Sequence, residues 1–68
     1  MRKYDIEVKF KTEVTGKNDL SMNLEVNADD RDRARGKAHL TFAELSKIFA
    51  YRPYDIRITV WGDGEVIE

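Results

Sequence analysis

The chain has 68 residues, enough for one domain, residues 1–68, near the size at which a single core only just outweighs chain entropy. It has no cysteine, so disulfides and thiolate metal sites are excluded and a reducing cytoplasm is the expected compartment. Twelve Lys and Arg against thirteen Asp and Glu leave a formal charge of −1, which excludes a global field for nucleic acid or an anionic membrane.

The opening run, "MRKYDIEVKF", alternates in polarity where a secretory leader would be continuously apolar, and no stretch of 18 apolar residues occurs. Neither a signal peptide nor a membrane span is expected. From Tyr4 to Val14 the alternation is strict, with Tyr4, Ile6, Val8, Phe10, Thr12 and Val14 on one face and charged residues on the other. The turn residues "TGKND" follow, and Leu20, Met22, Leu24, Val26 and Ala28 then alternate with polar residues. The two runs predict a β-hairpin.

The period then changes. Ala34, Ala38, Phe42, Leu45 and Phe49 fall on one stripe of a helix, with Thr41 and Ile48 on its border. A single helix from Arg31 to about Tyr51 is expected, stopping before Pro53, about 20 residues and roughly 30 Å long. The rival reading breaks the chain near Leu40, because Thr41-x-x-Glu44 matches a capping box. After Pro53, Tyr54, Ile56, Ile58 and Val60 alternate with polar neighbours as a third strand. Gly62-Asp63-Gly64 reads as a tight turn, after which residues 65–68 offer a short fourth strand.

These elements define an α+β, two-layer ββαβ fold: a three-stranded antiparallel sheet of order 2-1-3 with one long helix on one face. Its expected core is Tyr4, Ile6, Val8, Phe10, Met22, Leu24, Val26, Ala34, Ala38, Phe42, Leu45, Phe49, Ile56, Ile58 and Val60.

Charge is uneven: residues 31–52 hold six bases and two acids, residues 53–68 one base and four acids. The segment "VNADDRDRARGKAHL" reads as a helix start, with Asp30 as N-cap and Asp29 and Asp32 near the positive end of the dipole. It lacks the alternating oxygen ligands and closing glutamate of a calcium loop. Arg31, Arg33, Arg35 and Lys37 scatter over both flanks of the helix, where they are expected to pair with Asp30, Asp32 and the acids of the sheet. The pattern Val26-x-Ala28-x-Asp30-x3-Ala34-x3-Ala38 resembles that of very small hairpin-plus-helix proteins of phages and mobile elements. The resemblance covers about 13 residues; it implies a fold and an accessory or host-interaction role, and carries no functional residues.

Catalysis is not expected. His39 is the single histidine, off the apolar stripe, and neither a nucleophile elbow nor a phosphate loop accompanies it. No metal and no cofactor is called for. Two surfaces remain. Gly36, Leu40, Ala43, Lys47 and Tyr51, spaced 4, 3, 4 and 4, form a second stripe behind the helix and suit a protein partner or self-association. The alternative is nucleic-acid binding on the open sheet face through Lys9, Lys11, Arg57 and Trp61, a face that also carries Asp5, Glu7, Glu13, Glu25 and Asp55.

Overall fold

A computed structural model of the chain describes residues 1–14, 16 and 18–67. The element order is β1 (Arg2–Lys11), β2 (Leu20–Ala28), α1 (Arg31–Ser46) and β3 (Tyr54–Val66). The sheet order is β2-β1-β3, both pairings are antiparallel, and α1 covers one face. This is the ββαβ arrangement the periodicities call for. Tyr4, Ile6, Val8 and Phe10 of the central strand are buried, joined by Val26 and Ala28 of β2, Val60 of β3, and Ala34, Ala38 and Phe42 of α1. Met22, Leu24, Phe49 and Ile58 pack against this cluster from partly buried positions.

Several boundaries differ from the sequence reading, each for a physical reason. β1 ends at Lys11 rather than Val14: Thr12 is buried and the Gly16 N–H turns back to its carbonyl at 3.3 Å. Within "TGKND", Thr15 and Lys17 lie outside the described residues. The helix passes through Leu40 and Thr41 without a break, so the capping-box reading fails. It also stops at Ser46, well short of Tyr51. There the Ser46 hydroxyl donates to the Ala43 carbonyl at 2.9 Å. The next amides bond three residues back, Lys47 to Glu44, Ile48 to Leu45 and Phe49 to Ser46. Such 3₁₀ winding satisfies carbonyls that an α-helix end leaves open. It also delivers Phe49 into an aromatic trio, its ring 5.7 Å from Phe10 and 6.1 Å from Phe42, with Phe10 and Phe42 5.0 Å apart.

Gly62-Asp63-Gly64 is not a hairpin turn. β3 continues through it to Val66, and the register slips between Lys3/Glu65 and Asp5/Trp61, so the extra residues bulge out of one strand. No fourth strand folds back over the described residues, and Glu68 lies outside them. The bulge needs its glycines: Gly62 and Gly64 have φ of 69° and 86°. A Cβ on Gly64 would stand 2.7 Å from the Tyr4 ring and 2.9 Å from Arg2 Cβ. A second irregularity lies between Lys9/Arg57 and Lys11/Tyr54, where Asp55 adopts φ 52°. Next to it Ile56 is exposed beside the last turns of α1, outside the core expected of it. Leu45 is only partly buried.

Asp30 caps α1 as expected, accepting from the Arg33 amide at 2.8 Å. The basic flanks do something the sequence reading missed. Arg35 donates to the Ile58 carbonyl at 2.8 Å, and Arg31 donates to the Val60 carbonyl at 2.9 Å and also to the Gly62 carbonyl. On the other flank Lys37 donates to the Asn27 carbonyl. The expected pairing with acids is met by Arg33, 3.4 Å from Asp29 and 3.7 Å from Asp30, and by Arg31, 4.0 Å from Asp63 of β3. The helix thus reaches past the sheet on both sides and holds backbone carbonyls of the two edge strands. Covering an edge in this way blunts a template for strand addition.

Candidate functional site

The open sheet face is a lattice of opposite charges. Lys3 lies 3.8 Å from Glu25 and 3.6 Å from Glu65, and Lys9 lies 3.9 Å from Glu7. Lys11 stands between Asp19 and Asp55 at 3.9 and 3.4 Å, and Arg57 pairs with Asp19 at 2.7 Å. The hydrogen bond from Arg57 holds the Asp19 carboxyl below its ordinary value, with Coulomb attraction from Arg57, Lys11 and Lys9 adding to it and partial desolvation opposing it. The same bond raises the Arg57 guanidinium. Lys9, Lys11 and Arg57 are therefore already engaged with carboxylates, and a phosphate chain would have to displace them. Trp61, 58% exposed, is the fourth residue of that set. It lies opposite Asp5 of β1, which on its other side is opposite Glu25 of β2, and all three line a shallow cleft whose charge opposes phosphate.

The structure splits the stripe behind the helix into two parts. Gly36, Leu40 and Ala43 stay together on the outer side of α1; Leu40 is 68% exposed, and a Cβ on Gly36 would meet nothing within 4 Å. Lys47 is the C-cap and pairs with Glu44 at 3.2 Å. Tyr51 has left the helix altogether. It lines an open groove of about 340 Å³ with Phe10, Thr12, Val14, Leu20, Phe49 and Ala50. Val14 on the groove's rim is 64% exposed, and one further apolar side chain, Ile48 in the turn that ends α1, is 82% exposed.

The groove is the feature the sequence reading missed. Its walls come from two departures from periodicity, the early end of β1, which strands Val14, and the 3₁₀ exit from α1, which carries Phe49 and Tyr51 across to the hairpin. The Ser46 back-bond was the available signal, since serine so placed competes with the helical ladder.

His39 is exposed on α1. Among the described residues no group of three or more His, Cys, Asp or Glu is placed to hold a metal ion, and no helix is long and apolar enough to cross a membrane.

Fold and surface together define a two-layer ββαβ domain with an open sheet face of paired charges in which acids outnumber bases, and one apolar end that the described residues leave open. Comparison with protein-family models, with curated proteins and with solved structures finds no match for this chain.

Proposed function

We propose that the chain is a non-catalytic protein-interaction module that docks on a larger protein by accepting an apolar anchor residue of that partner into the groove between the hairpin and the end of α1. The observation that carries this reading is the groove itself, with apolar side chains and the Tyr51 ring as its walls. Contiguous exposed apolar surface of this kind marks interaction sites on small proteins. A small-molecule site would want several convergent polar groups to fix orientation; here the polar lining reduces to Thr12 and the Tyr51 hydroxyl. Interface hot spots, by contrast, are apolar pockets filled by one or two large side chains. The hairpin-plus-helix resemblance adds an accessory or host-interaction role of the phage type, and the absence of cysteine adds a cytoplasmic setting. Leu40, Gly36 and Ala43 on the helix back form the secondary contact.

The test places a photo-crosslinking residue at Ile48 or at Leu40 in the native host. The reading expects one discrete protein adduct from position 48. The purified partner should bind wild type with little salt dependence, lose binding to Ile48→Asp, and bind Leu40→Glu more weakly than wild type but measurably. Retention on random oligonucleotides that falls steeply with salt would instead support nucleic-acid binding through Lys9, Lys11, Arg57 and Trp61.

A further inference from the structure

The two outer edges of the sheet are guarded very unequally. β3 begins just after Pro53, carries two register irregularities, and has three of its outward carbonyls, Ile58, Val60 and Gly62, held by Arg35 and Arg31. Bulges, proline and covering side chains are the usual devices that stop an edge from pairing with another chain. β2 has almost none of them. Its register with β1 runs unbroken from Arg2/Ala28 to Phe10/Leu20, it contains no Lys, Arg or Pro, and among the described residues only the side chain of Lys37, at its far end, reaches its backbone.

Because the Asn27 carbonyl faces outward to Lys37, antiparallel alternation turns the backbone groups of Ser21, Asn23 and Glu25 outward too. Among the described residues no side chain takes them up.

We infer that β2 is a self-complementary edge, and that two copies of this chain pair antiparallel through it about a two-fold axis at Asn23, giving a continuous six-stranded sheet. The register follows from both faces of the strand at once. With Asn23 opposite Asn23 of the second copy, Ser21 meets Glu25 on the open face, so no like charges are opposed. On the helix face Met22 meets Leu24 and Leu20 meets Val26, covering apolar side chains of which Leu20 is exposed and Met22 and Leu24 are only partly buried in the single chain. A register centred on Met22 would instead set Asp19 against Glu25, two acids in opposition. The proposed pairing uses main-chain hydrogen bonds from Ser21, Asn23 and Glu25 of each copy, and Lys37 limits its extent at the Asn27 end. This goes beyond the docking groove, which faces the end of the domain rather than its side.

The absence of cysteine makes the register directly testable. Directly opposed residues of a hydrogen-bonded antiparallel pair have Cα atoms about 5.5 Å apart, within the range a disulfide spans. Asn23→Cys should therefore form a disulfide-linked dimer readily under mild oxidation. Ser21→Cys should not, since its own copies would lie four residues apart along the strands, roughly 13 Å.

In sedimentation, wild type should show a concentration-dependent dimer. Asn23→Pro removes one outward N–H per copy without touching the β1–β2 ladder, and Asn23→Lys places like charges across the axis. Each should raise the dissociation constant about tenfold or more while the melting curve confirms a folded chain. If Asn23→Pro fails to fold, Asn23→Lys still decides. A wild type that is monomeric at high concentration, equal cross-linking by Asn23→Cys and Ser21→Cys, or preferential cross-linking by Leu40→Cys on the helix back overturns the assignment.

Discussion

The two ends of α1 meet the sheet by opposite means. Near its N-terminus the buried residues are Ala34 and Ala38, both fully shielded and in one core cluster with residues of all three strands. Side chains that short contribute to a core only if the helix backbone comes close to the sheet, and closeness is what lets Arg31, Arg35 and Lys37 reach the edge carbonyls. Near its C-terminus the contact is made by Phe42, Phe10 and Phe49, large rings that fill a wider space. The rings seal the core but do not cover Val14, Leu20 or Tyr51 beyond it. In so small a chain the choice of small or large residues under one helix thus settles which end is closed and which end keeps an open groove.

The sharpest way to break this contrast is Phe42→Ala at the aromatic end. Loss of a buried phenylalanine costs roughly 3–5 kcal/mol, much of the stability of so small a domain, so its thermal unfolding by circular dichroism should collapse toward room temperature. An unchanged melt would mean that the trio is not what holds the open end. At the closed end, Gly64→Ala tests how tightly the bulge sits on Tyr4. Steric overlap with the ring and a positive φ together should cost about 1–3 kcal/mol, read as a lower denaturant midpoint at unchanged slope.

Asp30→Ala removes the cap that starts α1 and should cost about 1 kcal/mol; Asp30→Asn, which keeps the acceptor, should restore most of it. Smaller still is the pH effect at the Asp19–Arg57 pair. A carboxyl with a depressed folded-state pKa adds stability above its unfolded value and loses it as pH falls through the folded one, so the contribution fades below about pH 4. Both groups are exposed, so the change should be slight and screened by salt. Asp19→Asn should flatten it in acid titrations followed by fluorescence of Trp61. Smallest of all, Leu40→Glu on the helix back should shift stability by no more than about 0.5 kcal/mol. A large loss would show that α1 buries a face other than the Ala34, Ala38 and Phe42 stripe.

Much of this architecture is legible in the residues themselves. Strict alternation in β1 and β2, the spacing of Ala34, Ala38 and Phe42, and the handedness of the crossover suffice for the 2-1-3 sheet. What escapes the pattern depends on contacts between distant segments. The helix ends at Ser46 because Phe49 is drawn to Phe10 and Phe42, a tertiary pull that overrides the running period. Gly62-Asp63-Gly64 has the composition of a turn, yet Tyr4 lies beneath it and the strand goes on. Acid partners for Arg31 and Arg35 are suggested by charges visible in a sequence, and Arg31 does lie 4.0 Å from Asp63, whereas the backbone carbonyls that both arginines hold are not visible there. The groove was invisible for the same reason, since it exists only after two elements have ended early.

The placement of β1 also governs the order of events in time. The first strand of the chain is the middle strand of the sheet, and its second neighbour arrives last: Ile6 pairs with Val60, 54 positions later. The β1–β2 hairpin closes over a short connection, an event on the scale of about 1–10 μs. β1 must then wait with its other side unpaired until the helix and β3 have been made and docked. Long-range pairing of this kind slows folding, and the bared edge of a half-finished sheet is the usual entry point for aggregation. A chain stalled or cut before Tyr54 would hold Tyr4, Ile6, Val8 and Phe10 on a strand with no second neighbour, so the yield of soluble protein should track how fast β3 arrives rather than how firmly the finished domain holds.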